Sequence, residues 1–450
     1  MFEAIATRGA ASFYEACQFF RLLNFLLWIN DNHHITVGRF DQYMYPYYKH
    51  DIEAGILTEA EAYELLVETF LSLNKDTELY HGVQQGDNGQ SLVLGGVTPE
   101  GTDGVNALTS LCLRASLDIN LIDPKINLRV DKNTPLSLYT LGTKLTRQGM
   151  GFPQYSNDDV VIPGLVALGY DLQDARDYVV AACWEFIIPG KGMDTPNIDA
   201  MNFPQILSDT VRQDLVSSPT FEVFQQRYTE RLAQEADRIL SRARPIYVQP
   251  SPFQSLLMDG CIERGRDIST GAKYNNYGIH GAGIATAVDD LSAIREKVYT
   301  EKAVPADTLI AALDSNYAAD SVRLEMLSAP RMGNNDDRAD GLAVWLLDTF
   351  ADILSPLRNE RGGVIRPGTG TAMYYLWSAD AAGATPDGRR AGESFGANYS
   401  PAISTRPDGP LSVLQSFAKP HLSRDLIELR GISRPLRTSP GFVDGLGLLR

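Results

Sequence analysis

The chain has 450 residues, 40 basic and 56 acidic side chains, and a formal net charge of −16. Hydrophobic residues make up 44% and charged residues 21%, the balance of a water-soluble globular protein whose length allows a large core and about three domains. The acidic balance argues against a nucleic-acid binder, whose affinity rests on basic residues facing phosphates. The opening stretch, MFEAIATRGAASFYEACQFF, is neither a signal peptide nor a basic targeting helix. Phe19 to Ile29 is apolar but short, and it contains Arg21 and Asn24. No apolar run approaches the ~18 residues of a membrane span.

Further along, Thr58-Glu-Ala-Glu61 reads as a capping box before an amphipathic helix over Ala62 to Leu73. Ser91 to Val97 and Ile126 to Val130 read as short strands. Pro135 to Gln148, Ile162 to Leu168 and Asp171 to Asp177 read as helices, and Tyr178 to Ile188 as one strand-like segment. Phe203 to Arg242 and Pro305 to Tyr317 read as mostly helical. Ala339 to Leu354 is a helix with an apolar face. Gly368 to Gly409 is long and rich in Gly, Ala, Pro and Ser, with turn signals at Thr385-Pro-Asp-Gly388 and Pro407-Asp-Gly409. A segment of this length without an assigned element points to function, although a surface excursion explains it too. Helices alternating with short strands give an α/β class with a barrel at this length, and no composition break marks a domain boundary.

Cys17, Cys112, Cys183 and Cys261 form no CxxC pair, so the sequence supports neither a disulfide framework nor a zinc or iron–sulfur site. A reduced, cytoplasmic setting fits. The glycines form no P-loop, because no G-K-[ST] follows Gly368-Thr-Gly-Thr.

Three constellations could carry chemistry. In Tyr178-Val-Val-Ala-Ala-Cys183-Trp-Glu185-Phe-Ile-Ile-Pro-Gly190, Cys183 and Glu185 share a face if the segment is extended. A thiol and a carboxylate in one pocket suggest hydrogen-atom or nucleophile chemistry at sulfur and proton transfer at the carboxylate. A packed structural cysteine beside an ion-paired glutamate explains the same residues. No cationic group adjoins Cys183 to lower its pKa, which argues against a cysteine hydrolase. In the second constellation, adjacent His33 and His34 cannot face one side of an extended segment, so a metal site from the pair is disfavoured. They can hydrogen-bond a polar substrate or form part of a solvated loop. The tyrosines that follow, Tyr43 to Tyr48, fit core packing. The third, Pro330 to Asp340, lacks calcium-loop spacing and reads as a helix start.

Taken in order, several stretches resemble the glycyl radical enzymes, the pyruvate formate-lyase-like family. These are Gly38-Arg-Phe-Asp41-Gln-Tyr-Met-Tyr-Pro46, Asp51 to Ala60, Gly95-Gly-Val-Thr-Pro-Glu-Gly101 and Asn127-Leu-Arg-Val130. Asp171 to Tyr178 follows, leading into Cys183-Trp-Glu185. Then come Tyr274-Asn275, Gly281 to Asp289, Asn334 to Asp337, Thr385-Pro-Asp-Gly-Arg389 and Ser400-Pro401. The resemblance covers nearly the whole chain and rests on the order of many short matches. It implies a ten-stranded β/α barrel of two five-stranded halves wrapped by helices, incomplete in this chain, as a single domain over residues 1–450. It implies that Cys183 becomes a thiyl radical that abstracts a hydrogen atom from substrate, and that Glu185 is the general base of a Cys-x-Glu motif. It also implies a radical S-adenosylmethionine activating enzyme, a glycyl radical installed after synthesis, no bound cofactor or metal, and a homodimer.

Within the family, Cys-x-Glu resembles the eliminating branch of dehydratases and lyases. Ala182 stands where formate acetyltransferase chemistry uses a second cysteine, which leaves that acyl transfer as the alternative. His33 matches the first residue of a substrate-binding His-Ser pair, and His34 replaces the serine. An acidic substrate-binding position falls near Asn197 or Asp199, and Trp184 replaces a small residue. The motif of the radical-bearing glycine has no match before Arg450, so the chain is expected to be truncated at both ends, without the glycyl radical domain. A catalytically silent binding or assembly subunit is the remaining alternative.

Overall fold

The computed structural model describes residues 2–30, 35–75, 89–182, 184–244, 246–371 and 373–420. They fall into two compact units, one within residues 2–193 and 248–274, the other within 194–247 and 275–420.

The first unit holds β1 (Gly38–Arg39), β2 (Ser91–Gly95), β3 (Lys125–Val130) and β4 (Gln154–Asn157), parallel and in chain order. Parallel neighbours need long crossovers. Helices Glu59–Leu73, Ala107–Ile119 and Leu136–Arg147 lie in these connections. The first starts at the expected capping box: Glu61 N donates to Thr58 Oγ1 at 3.3 Å, and Thr58 N donates to Glu61 Oε2 at 2.8 Å. Pro135 caps the third, as its fixed φ favours. The helix expected at Ile162 begins earlier, at Asp158, because the Asn157 side chain caps it through Asp159 N at 3.0 Å.

Period-2 alternation divides the sheet into two faces. Leu92, Leu94, Ile126, Leu128 and Val130 join Phe40, Leu66, Phe70, Leu108 and Leu111 in one apolar core. The opposite face is polar, with Ser91, Lys125, Asn127, Arg129 and Ser156 all buried. In register, Ser91 stands opposite Lys125, and Arg129 opposite Ser156.

Tyr178 to Ile188 does not form the single expected strand. It folds into an antiparallel hairpin of β5 (Val179–Ala181) and β6 (Glu185–Ile187), with Ala181 opposite Glu185. Ala182 turns the chain at a left-handed φ of 46°. Folding back pairs the backbone groups of Val179-Val-Ala181 and Glu185-Phe-Ile187 and buries Val179, Val180 and Phe186.

The second unit holds a three-stranded parallel sheet of β7 (Thr195–Asn202), β8 (Tyr277–Ala282) and β9 (Ile365–Gly368). The expected helical stretch after Phe203 is two helices, Phe203–Asp214 and Phe221–Ala243. The second buries Phe221, Phe224, Tyr228, Leu232, Ala236, Ile239 and Ala243, the 3–4 spacing of one helical face. Asp336 caps helix Asp337–Leu354 through Arg338 N at 2.9 Å, so Pro330 to Asp340 is a helix start as its sequence suggests. The described residues among 368–409 contain one helix, Tyr374–Ala381, and the Thr385 turn closes through Gly388 N to Thr385 O at 3.1 Å.

That turn is held from within. All ten residues of helix Ile284–Ala293 are buried, including adjacent Asp289 and Asp290. Arg331 Nη1 lies 3.2 Å from Asp289 Oδ2 and 3.4 Å from Asp387 Oδ2. Asp387 N donates to Asp290 Oδ1 at 2.7 Å.

The fold class is α/β, as expected. Of the ten strands that the resemblance implies, the described residues form parallel sheets of four and three together with the antiparallel hairpin. No helix among them is long and apolar enough to cross a membrane.

Candidate active site

The β5–β6 hairpin lies on the polar face of the four-stranded sheet. Ser91 Oγ donates to Ala182 O at 3.0 Å, and Thr36 Oγ1 donates to Val180 O at 2.7 Å. At the tip, Trp184 Nε1 donates to Ser156 Oγ at 3.1 Å, which fixes the indole against β4. Glu185 opens β6 and is only 5% exposed. Trp184 N donates to its Oε2 at 2.9 Å, so the carboxylate is oriented by the backbone of its own turn. A buried carboxylate at a hairpin tip is costly unless it is hydrogen-bonded, and here part of that requirement is met.

The root of the hairpin is built around Arg129, which is 0% exposed. Its Nε and Nη2 each lie 2.9 Å from an Asp158 carboxylate oxygen, a bidentate pair. Nη1 donates to Tyr178 O at 3.0 Å and Nη2 to Arg176 O at 2.8 Å. The Tyr178 ring lies 3.9 Å from the guanidinium, and its hydroxyl donates to Asp158 Oδ1 at 2.7 Å. Burial opposes the Arg129 charge, but Asp158 outweighs it and holds the pKa above its ordinary value. Burial, then the Asp158 charge, push the Tyr178 hydroxyl well up, so it stays a donor. Nearby Arg39 pairs with Asp177 at 3.1 Å, while burial and then Arg129 lower its pKa.

This packing explains Gly96. Its φ is +72°, and a Cβ there would stand 2.5 Å from Arg129 Nε and 2.7 Å from Asp158 Oδ2. Gly96→Ala is expected to destabilise the protein by about 2–4 kcal/mol, through left-handed strain and disruption of the buried pair. Urea unfolding checks this; a loss below about 1 kcal/mol would contradict the packing.

Of the residues singled out in the sequence, Glu185 stands at the hairpin tip. Cys183, between Ala182 and Trp184, lies outside the described residues, as do His33 and His34. Asn197 is exposed on β7 of the second unit, where the register shifts between Thr195 and Asp199. Asp199 there forms an ion pair with Arg242. Among the described residues no group of three or more His, Cys, Asp or Glu could hold a metal ion. Sequence reading missed the roles of Arg129, Asp158, Thr36, Ser91 and Ser156. One signal was available: a charged residue inside an otherwise apolar strand, Ile126-Asn-Leu-Arg-Val130.

Comparison with known proteins agrees with this architecture. The chain is 28% identical to (2S)-3-sulfopropanediol dehydratase of Klebsiella oxytoca over 454 aligned residues, covering 93% of this chain and 55% of that protein. It is 28% identical to trans-4-hydroxy-L-proline dehydratase of Clostridioides difficile, covering 91% of this chain and 55% of that protein. Among solved structures, the glycerol-bound form of the B12-independent glycerol dehydratase from Clostridium butyricum superposes with a TM-score of 0.87 at 28% identity. It covers 98% of this chain and 60% of that one. The chain thus spans little more than half the length of these relatives. The sequence profile of the pyruvate formate lyase-like family matches residues 1–377, and the chain belongs to that family.

Proposed function

We propose that this chain forms the thiol-bearing body of a glycyl radical eliminase that acts on a small polar substrate. The observation that supports this best is a Cys-x-Glu hairpin tip, with a buried, backbone-oriented Glu185, docked on the polar face of a parallel sheet. The dehydratases to which the chain is similar act on hydroxylated small molecules: a sulfonated propanediol, hydroxyproline and glycerol. We extend that class to this chain, as substrates with a leaving group on the carbon next to a C–H that bears a hydroxyl.

A glycyl radical, installed by a radical S-adenosylmethionine activating enzyme, supplies the oxidising equivalent that converts the Cys183 thiol to a thiyl. None of the described residues is assigned that radical. The Cys183 thiyl takes a hydrogen atom from the carbinol carbon of the substrate. Glu185 accepts the proton of the hydroxyl on that carbon, so that a carbonyl forms as the neighbouring hydroxyl departs. The proton held by Glu185 passes to the departing hydroxide, which leaves as water. The product radical then recovers its hydrogen atom from Cys183. His33, His34 and Asn197 are assigned to substrate binding. Exclusion of bulk water by a closed site protects such a radical.

The test is anaerobic incubation of the activated full-length protein with a panel of 1,2-diols, hydroxylated amino acids, amino alcohols and hydroxylated sulfonates. We expect a carbonyl product, with water, amine or sulfite, from at least one class. Radical-loaded protein that converts no member of the panel would overturn the reading.

A further inference from the structure

Along β5 and the residues before it, the carbonyls of Arg176, Tyr178, Val180 and Ala182 are all taken by side chains of the four-stranded sheet. Arg129 donates to Arg176 O at 2.8 Å and to Tyr178 O at 3.0 Å. Thr36 Oγ1 donates to Val180 O at 2.7 Å, and Ser91 Oγ to Ala182 O at 3.0 Å. Arg176 ends helix Leu172–Arg176, Tyr178 and Val180 follow along the extended run, and Ala182 holds the left-handed turn, so the segment is docked before, along and at the end of β5. A backbone ladder could slip to another register and keep its hydrogen bonds. A ladder of three different side chains cannot, because each donor stands at a fixed place: ahead of β1, at the start of β2 and near the end of β3. The last docked carbonyl belongs to Ala182, the residue before Cys183.

We propose that Thr36, Ser91 and Arg129 are positioning residues that set the register of the hairpin and hence the placement of Cys183 and Glu185 for hydrogen-atom and proton transfer. The proposal rests on the reading of Cys183 and Glu185 as the reacting pair. Arg129 also carries the buried charge that neutralises Asp158, so truncating it endangers the fold. Thr36→Val exchanges a hydroxyl for a methyl group and Ser91→Ala removes a hydroxyl; both leave that ion pair intact.

The experiment uses the double variant Thr36→Val/Ser91→Ala in the activated full-length protein, with a substrate found for the wild type. We expect the glycyl radical signal to form to the wild-type level and KM to stay within about twofold. kcat per radical should fall by about 10²-fold, the effect of a reacting atom misplaced by about 1 Å. The substrate deuterium isotope effect should rise, because transfer to Cys183 becomes more rate-limiting. The alkylation rate of Cys183 in the unactivated protein should also change at least severalfold; Cys17, Cys112 and Cys261 are buried and give little background. A lower melting temperature with unchanged kcat per radical, isotope effect and alkylation rate would overturn the proposal in favour of a purely structural role. A wild type without turnover, or an active Cys183→Ala variant, overturns the reading of the reacting pair. The alkylation rate then still decides whether the ladder holds the tip.

Discussion

Cys183→Ala in the activated full-length protein is expected to reduce turnover to background while the activase-dependent glycyl radical signal remains. Alanine removes the only atom of that side chain able to carry the radical to the substrate. The hairpin should keep its place, because the carbonyls of Val180 and Ala182 and the Trp184 indole hold it to the sheet. Glu185→Gln is the companion. Glutamine keeps the shape and can still accept from Trp184 N, so the tip geometry survives. It cannot take the proton that lets the leaving group depart. General acid–base assistance of this kind contributes about 10²–10⁴-fold, so kcat should fall by that amount with KM nearly unchanged. The paired measurement is turnover against the electron paramagnetic resonance signal of the same sample. Residual Cys183→Ala turnover above background, or Glu185→Gln with wild-type kcat, would remove the assigned roles.

Capped, amphipathic elements were the most legible in the sequence. Thr58 and Glu61 announce a helix because both ends of a capping box are local. Phe221 to Ala243 shows its buried face in its own spacing. The hairpin was hidden for the opposite reason. Hairpin turns are usually marked by Gly or Asn at a left-handed position, and in this three-residue connection an alanine takes it. With no turn residue between them, Val179-Val-Ala and Glu185-Phe-Ile read as one strand. Arg129 was visible as an oddity in an apolar strand. Its partners Asp158 and Tyr178, however, are 29 and 49 residues away and meet it only once the chain is folded. The reading of Cys183 and Glu185 as a reacting pair rests on family resemblance, whereas the local pattern alone equally allowed a packed cysteine and an ion-paired glutamate.

Asp289 and Asp387 fall in stretches of the family resemblance, but nothing local announced their burial around one arginine, and they carry the second large expectation. Arg331→Met should destabilise the protein by about 3–5 kcal/mol, a fall of about 10 °C in melting temperature. The guanidinium forms ion pairs with Asp289 and Asp387, and it also donates to Asp387 O and, at 3.1 Å, to Ser404 Oγ. Without it, carboxylates buried beside Asp290 lose their counter-charge. The penalty should depend on pH in a defined direction. Burial raises the Asp289 pKa from 3.8 to about 7; Arg331 opposes the shift, Asp387 adds to it, and Met332 N and Thr405 favour the charged form. The folded pKa lies above the unfolded one, so the native state binds the extra proton between them. The stabilising contribution is complete below about pH 4 and is lost as pH rises through about 7. Asp289→Asn should therefore flatten the stability profile across that window relative to the wild type. The Arg331→Met penalty should be smaller at pH 5.5 than at pH 8, because protonation relieves the uncompensated charge. Adding Asp289→Asn to Arg331→Met should recover part of the loss at pH 8. Urea unfolding of the wild type, both single variants and the double variant at the two pH values measures all of this in one cycle. Equal Arg331→Met penalties at the two pH values, with no recovery in the double variant, would show that packing of the arginine stem, and not its charge, holds this turn.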